Sequence, residues 1–128
     1  MRKQATGTFD VSTQPVSEPN ALPGRMTLDK QFQGDLVATA HGEMLTALTA
    51  VEGSAAYVAI EHVTGTLHGR TGSFVFQHTG VMDRGKPHLA IHVVPDSGTE
   101  QLTGITGDFS LTIVDGTHSY TFDYSLPD

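Results

Sequence analysis

The stretch Glu61-His-Val-Thr-Gly-Thr-Leu-His-Gly-Arg-Thr-Gly-Ser-Phe-Val-Phe-Gln-His78 decides how this chain folds. Two runs rich in Val, Thr and Phe flank His68-Gly69, the pattern of two antiparallel strands joined by a tight turn. A two-residue turn pairs Leu67 with Arg70, Val63 with Phe74 and Glu61 with Phe76. Because side chains alternate along a strand, that register sorts the hairpin into two faces. One holds Tyr57, Ala59, Glu61, Val63, Phe74, Phe76, His78 and Gly80. The other holds Val58, Ile60, His62, Thr64, Ser73, Val75, Gln77 and Thr79. The aromatic and small residues mark the first set as the interior, so Glu61 and His78 are expected to point inward. A three-residue loop, His68-Gly69-Arg70, is the alternative; it groups His62 with Phe76 and leaves Glu61 outside.

The rest of the chain repeats this grammar. Fourteen glycines punctuate short β-prone runs, giving strands near 5–12, 25–33, 36–50, 54–67, 71–82, 86–94, 107–114 and 117–126. The three prolines of residues 13–24 mark a surface loop, and residues 95–104 suit a short helical turn with Leu102 facing the core. At 128 residues the chain is one domain, 1–128. Eight antiparallel strands in sequence order close into a β-barrel, which removes both exposed edges; a two-sheet β-sandwich is the alternative.

The other hairpins extend the interior face. Asp115-Gly116 fits a type I′ turn and groups Phe109, Leu111, Ile113, His118, Tyr120, Phe122 and Tyr124. A three-residue loop at Val51-Glu52-Gly53 sets Glu43 opposite Glu61 and His41 opposite Val63. A two-residue turn near Gly34 likewise puts Met26, Leu28 and Phe32 on the face of His41 and Glu43. These registers place His41, Glu43, Glu61 and His78 together on an apolar inner wall.

Composition excludes several functions. The net charge is −7 with only seven scattered Lys and Arg, so no basic footprint exists for nucleic acid or an anionic membrane. No apolar run reaches the roughly 18 residues of a membrane helix, and the basic start lacks the apolar stretch of a secretory signal. The chain has no cysteine, which excludes disulfides and thiolate chemistry and fits a cytoplasmic setting. A small-molecule ligand, a protein partner or a metal remains.

Four segments, "QFQGDLVATAHGEML", "YVAIEHVTGTLHGRTGSFVFQHTG", "VVPDSGTEQLTGITG" and "GTHSYTFDYSL", resemble in their order the bacterial domain-of-unknown-function 3224 family. The resemblance spans Thr6 to Leu126. That family is similar in fold to allene oxide cyclase, an eight-stranded antiparallel barrel with an apolar lumen, so the resemblance favours barrel over sandwich. The "SGTEQLTGITG" segment also resembles the glycine-threonine-glycine stretch of dirigent proteins and those cyclases, with Glu100 where a second glycine is usual. The resemblance brings no established reaction, and none of the cyclase's functional residues is carried over.

Two carboxylates facing each other in a low-dielectric lumen cannot both ionise cheaply. Sharing a proton, they supply an acid and a base near neutral pH, as isomerisation or cyclisation requires. In that reading Glu61 is the base, Glu43 its protonated partner and His78 the orienting group. His41, Tyr57, Phe74, Phe76, Tyr120, Phe122 and Tyr124 line the ligand. A carrier or sensor without chemistry, and an interaction protein with a filled barrel, use the same fold. The two His and two Glu also form a conceivable metal set, but they follow no compact ligand motif, and no metal or other cofactor is assigned. His88 and His92, roughly 13 Å apart along one strand, are surface residues. Val58, Ile60, Val75 and Val81 leave the outside of strands 54–67 and 71–82 apolar, which points to a homo-oligomer.

Overall fold

The computed structural model describes residues 2–127. Eight strands follow one another around a closed, wholly antiparallel barrel. They are β1 (Arg2–Pro15), β2 (Gly24–Gly34), β3 (Leu36–Leu48), β4 (Ala55–Leu67), β5 (Arg70–Asp83), β6 (Lys86–Val93), β7 (Thr106–Val114) and β8 (Thr117–Ser125). A single 3₁₀ turn, Glu100–Leu102, lies between β6 and β7. β1 pairs with both β2 and β8, so no edge is left open there. Along β6 and β7 the ladder shrinks to the pair His92 and Asp108, whose side chains also meet at 2.5 Å.

The hairpins at His68-Gly69 and Asp115-Gly116 have the registers expected of them. Leu67 pairs with Arg70 and Glu61 with Phe76, so the three-residue alternative at His68 does not occur. Val114 pairs with Thr117 and Phe109 with Phe122. All four turn residues take positive φ, His68 46°, Gly69 82°, Asp115 52° and Gly116 80°, as a type I′ turn demands.

The two registers around β3 differ from expectation, by one residue each. Phe32 pairs with Ala38 and Leu28 with Gly42, leaving Asp35 as the extra residue of the β2–β3 turn. Asp35 is held there by β1: its amide donates to Thr6 O, and the Thr6 amide donates to its carboxylate at 2.9 Å. Between β3 and β4 the ladder ends at Leu48 and Ala55, so six residues, 49–54, leave it rather than three. Thr49 Oγ1 donates within this loop to Ser54 O at 2.8 Å, and Ser54 N to Val51 O, which closes it on itself. A slip of one residue turns every side chain to the other face. The inner stripe of β3 is therefore Leu36, Ala38, Ala40, Gly42 and Met44, and His41 and Glu43 lie outside.

That choice is the cheaper one. It buries small apolar groups, which leave room for rings from neighbouring strands, and gives two ionisable side chains to water. The rings interlock: Phe76 lies 5.0 Å from Phe74, 5.0 Å from Phe109 and 5.4 Å from Phe122 between centroids. The barrel end near the β2–β3 and β4–β5 turns is capped by the segment before β7, where Leu102 and Ile105 are buried. Thr99 stands at the N-cap of the 3₁₀ turn without a side-chain capping bond; its Oγ1 accepts from the Ser73 amide and ties the segment to β5. Two tyrosines help close this end. Tyr120 Oη accepts from the Leu36 amide and donates to Gln33 O, and Tyr124 Oη meets His68 Nδ1.

Burial falls toward the opposite end. Along the inner faces Ala59 gives way to half-buried Tyr57, Leu28 to half-buried Met26, and Phe109 to Leu111 and then exposed Ile113. The barrel is thus packed shut at one end and apolar but uncovered at the other.

Candidate functional site

Glu61 sits where the packed and open halves meet. It is fully buried, from the middle of β4, and its inward direction follows from the His68-Gly69 turn. His78, also buried, comes from β5 on the same face, with Nε2 2.6 Å from Glu61 Oε2. The third member is Lys30 of β2, buried, with Nζ 3.1 Å from the same oxygen. Its ammonium also lies 5.0 Å from the centroid of Phe9 and 6.0 Å from that of Phe32, where ring faces attract a cation.

Sequence reasoning missed Lys30, yet it shares the parity of Met26, Leu28 and Phe32 on one strand. A lysine in the apolar stripe of a buried strand is rarely tolerated without a partner, and that rarity is the signal.

The electrostatics are those of an ionised carboxylate. Burial alone pushes the Glu61 carboxyl up, but contact with His78 and the Lys30 charge outweigh it, and the group is held below its ordinary 4.5. Tyr57, half-buried near His78 with ring centroids 6.5 Å apart, is shifted the other way. Burial and then the Glu61 charge raise its phenol, which stays a protonated donor.

Hydrogen bonding in the cluster is incomplete. The His78 contact is close but is not a directed hydrogen bond. Among the described residues neither His78 Nε2 nor Glu61 Oε1 has a directed hydrogen-bond partner, although both atoms are buried. Leaving a buried acceptor unsatisfied costs about 1–3 kcal/mol, more when it is charged.

The remaining expected site residues divide into three groups. Glu43 and His41 stand outside the barrel, Glu43 bound to Arg25 at 2.8 Å and His41 to Asp29 at 2.8 Å. The expectation that they share the inner wall with Glu61 is corrected by the β3 registers, and with it goes the shared proton between two carboxylates. The four-residue metal set disperses for the same reason, and no group of three or more metal-type ligands stands together among the described residues. Phe74, Phe76, Phe122 and Tyr124 are buried in the packed half, and the Tyr120 hydroxyl is committed to the β2–β3 turn. Tyr57 alone of that list borders the open half.

The model of a family described as "Protein of unknown function (DUF3224)" matches residues 5–124, nearly the whole chain. This chain belongs to the DUF3224 family. It is similar to a crystal structure of a DUF3224 protein of unknown function from Shewanella oneidensis MR-1. The two share 46% identity with a TM-score of 0.93, over 100% of this chain and 99% of the other. None of the curated proteins matches the chain. The DUF3224 barrel is thus a shared architecture, and function has to be argued from the Lys30–Glu61–His78 cluster itself.

Proposed function

We propose that this barrel binds one small, mostly apolar molecule through its open end, with a polar group of that molecule set against Glu61. The observation that carries this reading is the buried, unpartnered Glu61 Oε1 beneath an uncovered apolar wall. Met26, Met44, Tyr57 and Leu111 form that wall, each half-buried. Methionine and tyrosine suit such a place, the first by adapting its shape and the second by offering one polar tip. Met26 also borders an open cavity of about 520 Å³ under the Pro15–Gly24 connection, at the same end of the barrel.

The test is binding of a neutral hydrophobic fluorophore, followed by fluorescence and by shifts of the backbone amides of β4 and β5. Saturable binding that perturbs residues around Glu61 and His78 supports the reading. A barrel that admits no probe refutes it and leaves a filled interaction module.

Acid–base catalysis is the second reading, favoured by an ionised carboxylate in contact with an imidazole. Glu61 takes a proton from carbon or oxygen of the ligand, and His78 passes it on. Glu43 has no part in it. Turnover of a bound isomerisable compound that is lost in His78→Gln, with binding retained, distinguishes an isomerase or cyclase from a carrier or sensor. The cysteine-free chain is consistent with a cytoplasmic setting for either role.

A further inference from the structure

The unpartnered oxygen also constrains the chemistry of what binds. Glu61 Oε2 is engaged by Lys30 and His78, and Oε1 by no group among the described residues. An ionised carboxylate oxygen only accepts, so whatever satisfies it must donate. The charges already present narrow the donor. Lys30 and Glu61 cancel, so an anionic head would meet a bare carboxylate oxygen whose neighbouring ammonium is already paired. An ammonium head would enter beside the Lys30 Nζ, only 3.1 Å from the same carboxylate. A ketone or ether, even one that meets the buried His78 Nε2, brings a second acceptor to Glu61 Oε1 and leaves it unsatisfied.

We infer that the lumen selects a neutral hydroxyl or N–H donor, carried on an apolar body, which hydrogen-bonds Glu61 Oε1. The inference rests on the lumen-binding reading above and assigns its ligand class. Alcohols, phenols and N–H heterocycles fit; carboxylates, simple ketones and amines in their ammonium form do not. Sites built to hydrogen-bond a hydroxyl discriminate strongly against analogues that lack it, because their own polar group is then left buried and unpaired.

The test titrates the wild-type protein with cyclohexanol, cyclohexanone and cyclohexanecarboxylate, three probes on one ring skeleton, following the amides of residues 57–63 and 76–80. Cyclohexanol is expected to bind at least about tenfold more tightly than the ketone, and the carboxylate not to bind. In the double variant Lys30→Met/Glu61→Leu the alcohol loses its advantage while the neutral fluorophore still binds. If ketone or carboxylate binds the wild type as well as the alcohol, the donor assignment is wrong and the lumen-binding reading stands. If neither the fluorophore nor any of the three perturbs these residues, the binding reading itself fails and the assignment with it.

Discussion

Glu61 and Lys30, thirty-one residues apart in the chain, form a 3.1 Å ion pair in the barrel interior, with His78 against the same carboxylate oxygen. Such a pair is rarely a net source of stability, since taking both charges out of water costs about as much as their attraction returns. Its members nevertheless depend on each other. Glu61→Leu leaves a buried ammonium without its counter-ion and is expected to cost about 3–5 kcal/mol, as is Lys30→Met for the converse reason. The double variant Lys30→Met/Glu61→Leu is expected to recover most of that loss. Urea unfolding of the three variants gives the coupling energy; additive losses would show that the two groups do not act as a pair.

Acid should weaken the fold through the same carboxylate. Its pKa is lower folded than unfolded, so the unfolded chain binds more protons between the two values, and stability rises with pH there. The contribution is complete above the ordinary 4.5 and is lost as pH falls through the depressed folded value. Asp35, lowered chiefly by the Thr6 amide, slopes the same way, so the measurement is a difference. Melting temperatures at descending pH should fall more steeply for the wild type than for the double variant. Parallel curves would mean that Glu61 is not ionised in the fold.

The His68-Gly69 turn holds Glu61 on the inner face, and a substitution there separates backbone strain from packing. A Cβ at Gly69 meets no atom within 4 Å, yet φ is 82°. Gly69→Ala is therefore expected to cost about 1–2 kcal/mol through conformation alone. Chemical denaturation checks it; a neutral result would indicate that the turn relaxes without strain.

Tyr57 packs over Gly80 so closely that a Cβ there would stand 2.3 Å from its Cε1. Gly80→Ala must displace the ring at the open end of the lumen. Fluorophore affinity is expected to change several-fold with the barrel still folded by circular dichroism. Unaltered binding would remove Tyr57 from the ligand wall.

On the outer wall Val58, Ile60 and Val81 are 50%, 54% and 49% exposed, and Leu45 pairs across from Val58. Self-association through this face predicts a dimer or larger species by sedimentation at micromolar concentration, converted to monomer by Ile60→Lys. A monomeric wild type would discard the interface.

The hairpins at His68-Gly69 and Asp115-Gly116 were legible in the amino-acid order because each type I′ turn dictates parity locally. From them follow the inward placement of Glu61 and His78, the aromatic interior and the antiparallel strand succession. The β3 registers were not legible. They depend on Asp35 being bound by Thr6 from a strand some thirty residues away, and on a loop, 49–54, that closes on itself outside the ladder. Those contacts exist only once the barrel has formed. Parity is a two-valued quantity, so one extra residue in either connection was enough to exchange His41 and Glu43 for Ala40 and Gly42. Tertiary closure also supplied the counter-ion. Lys30 lies two strands away from Glu61, with β3 between them, and small β3 side chains let its long side chain cross to the carboxylate. Local pattern thus determined which way β4 and β5 face. Only the closed barrel decided which charge Glu61 would meet, because that depends on distance through the lumen rather than along the chain.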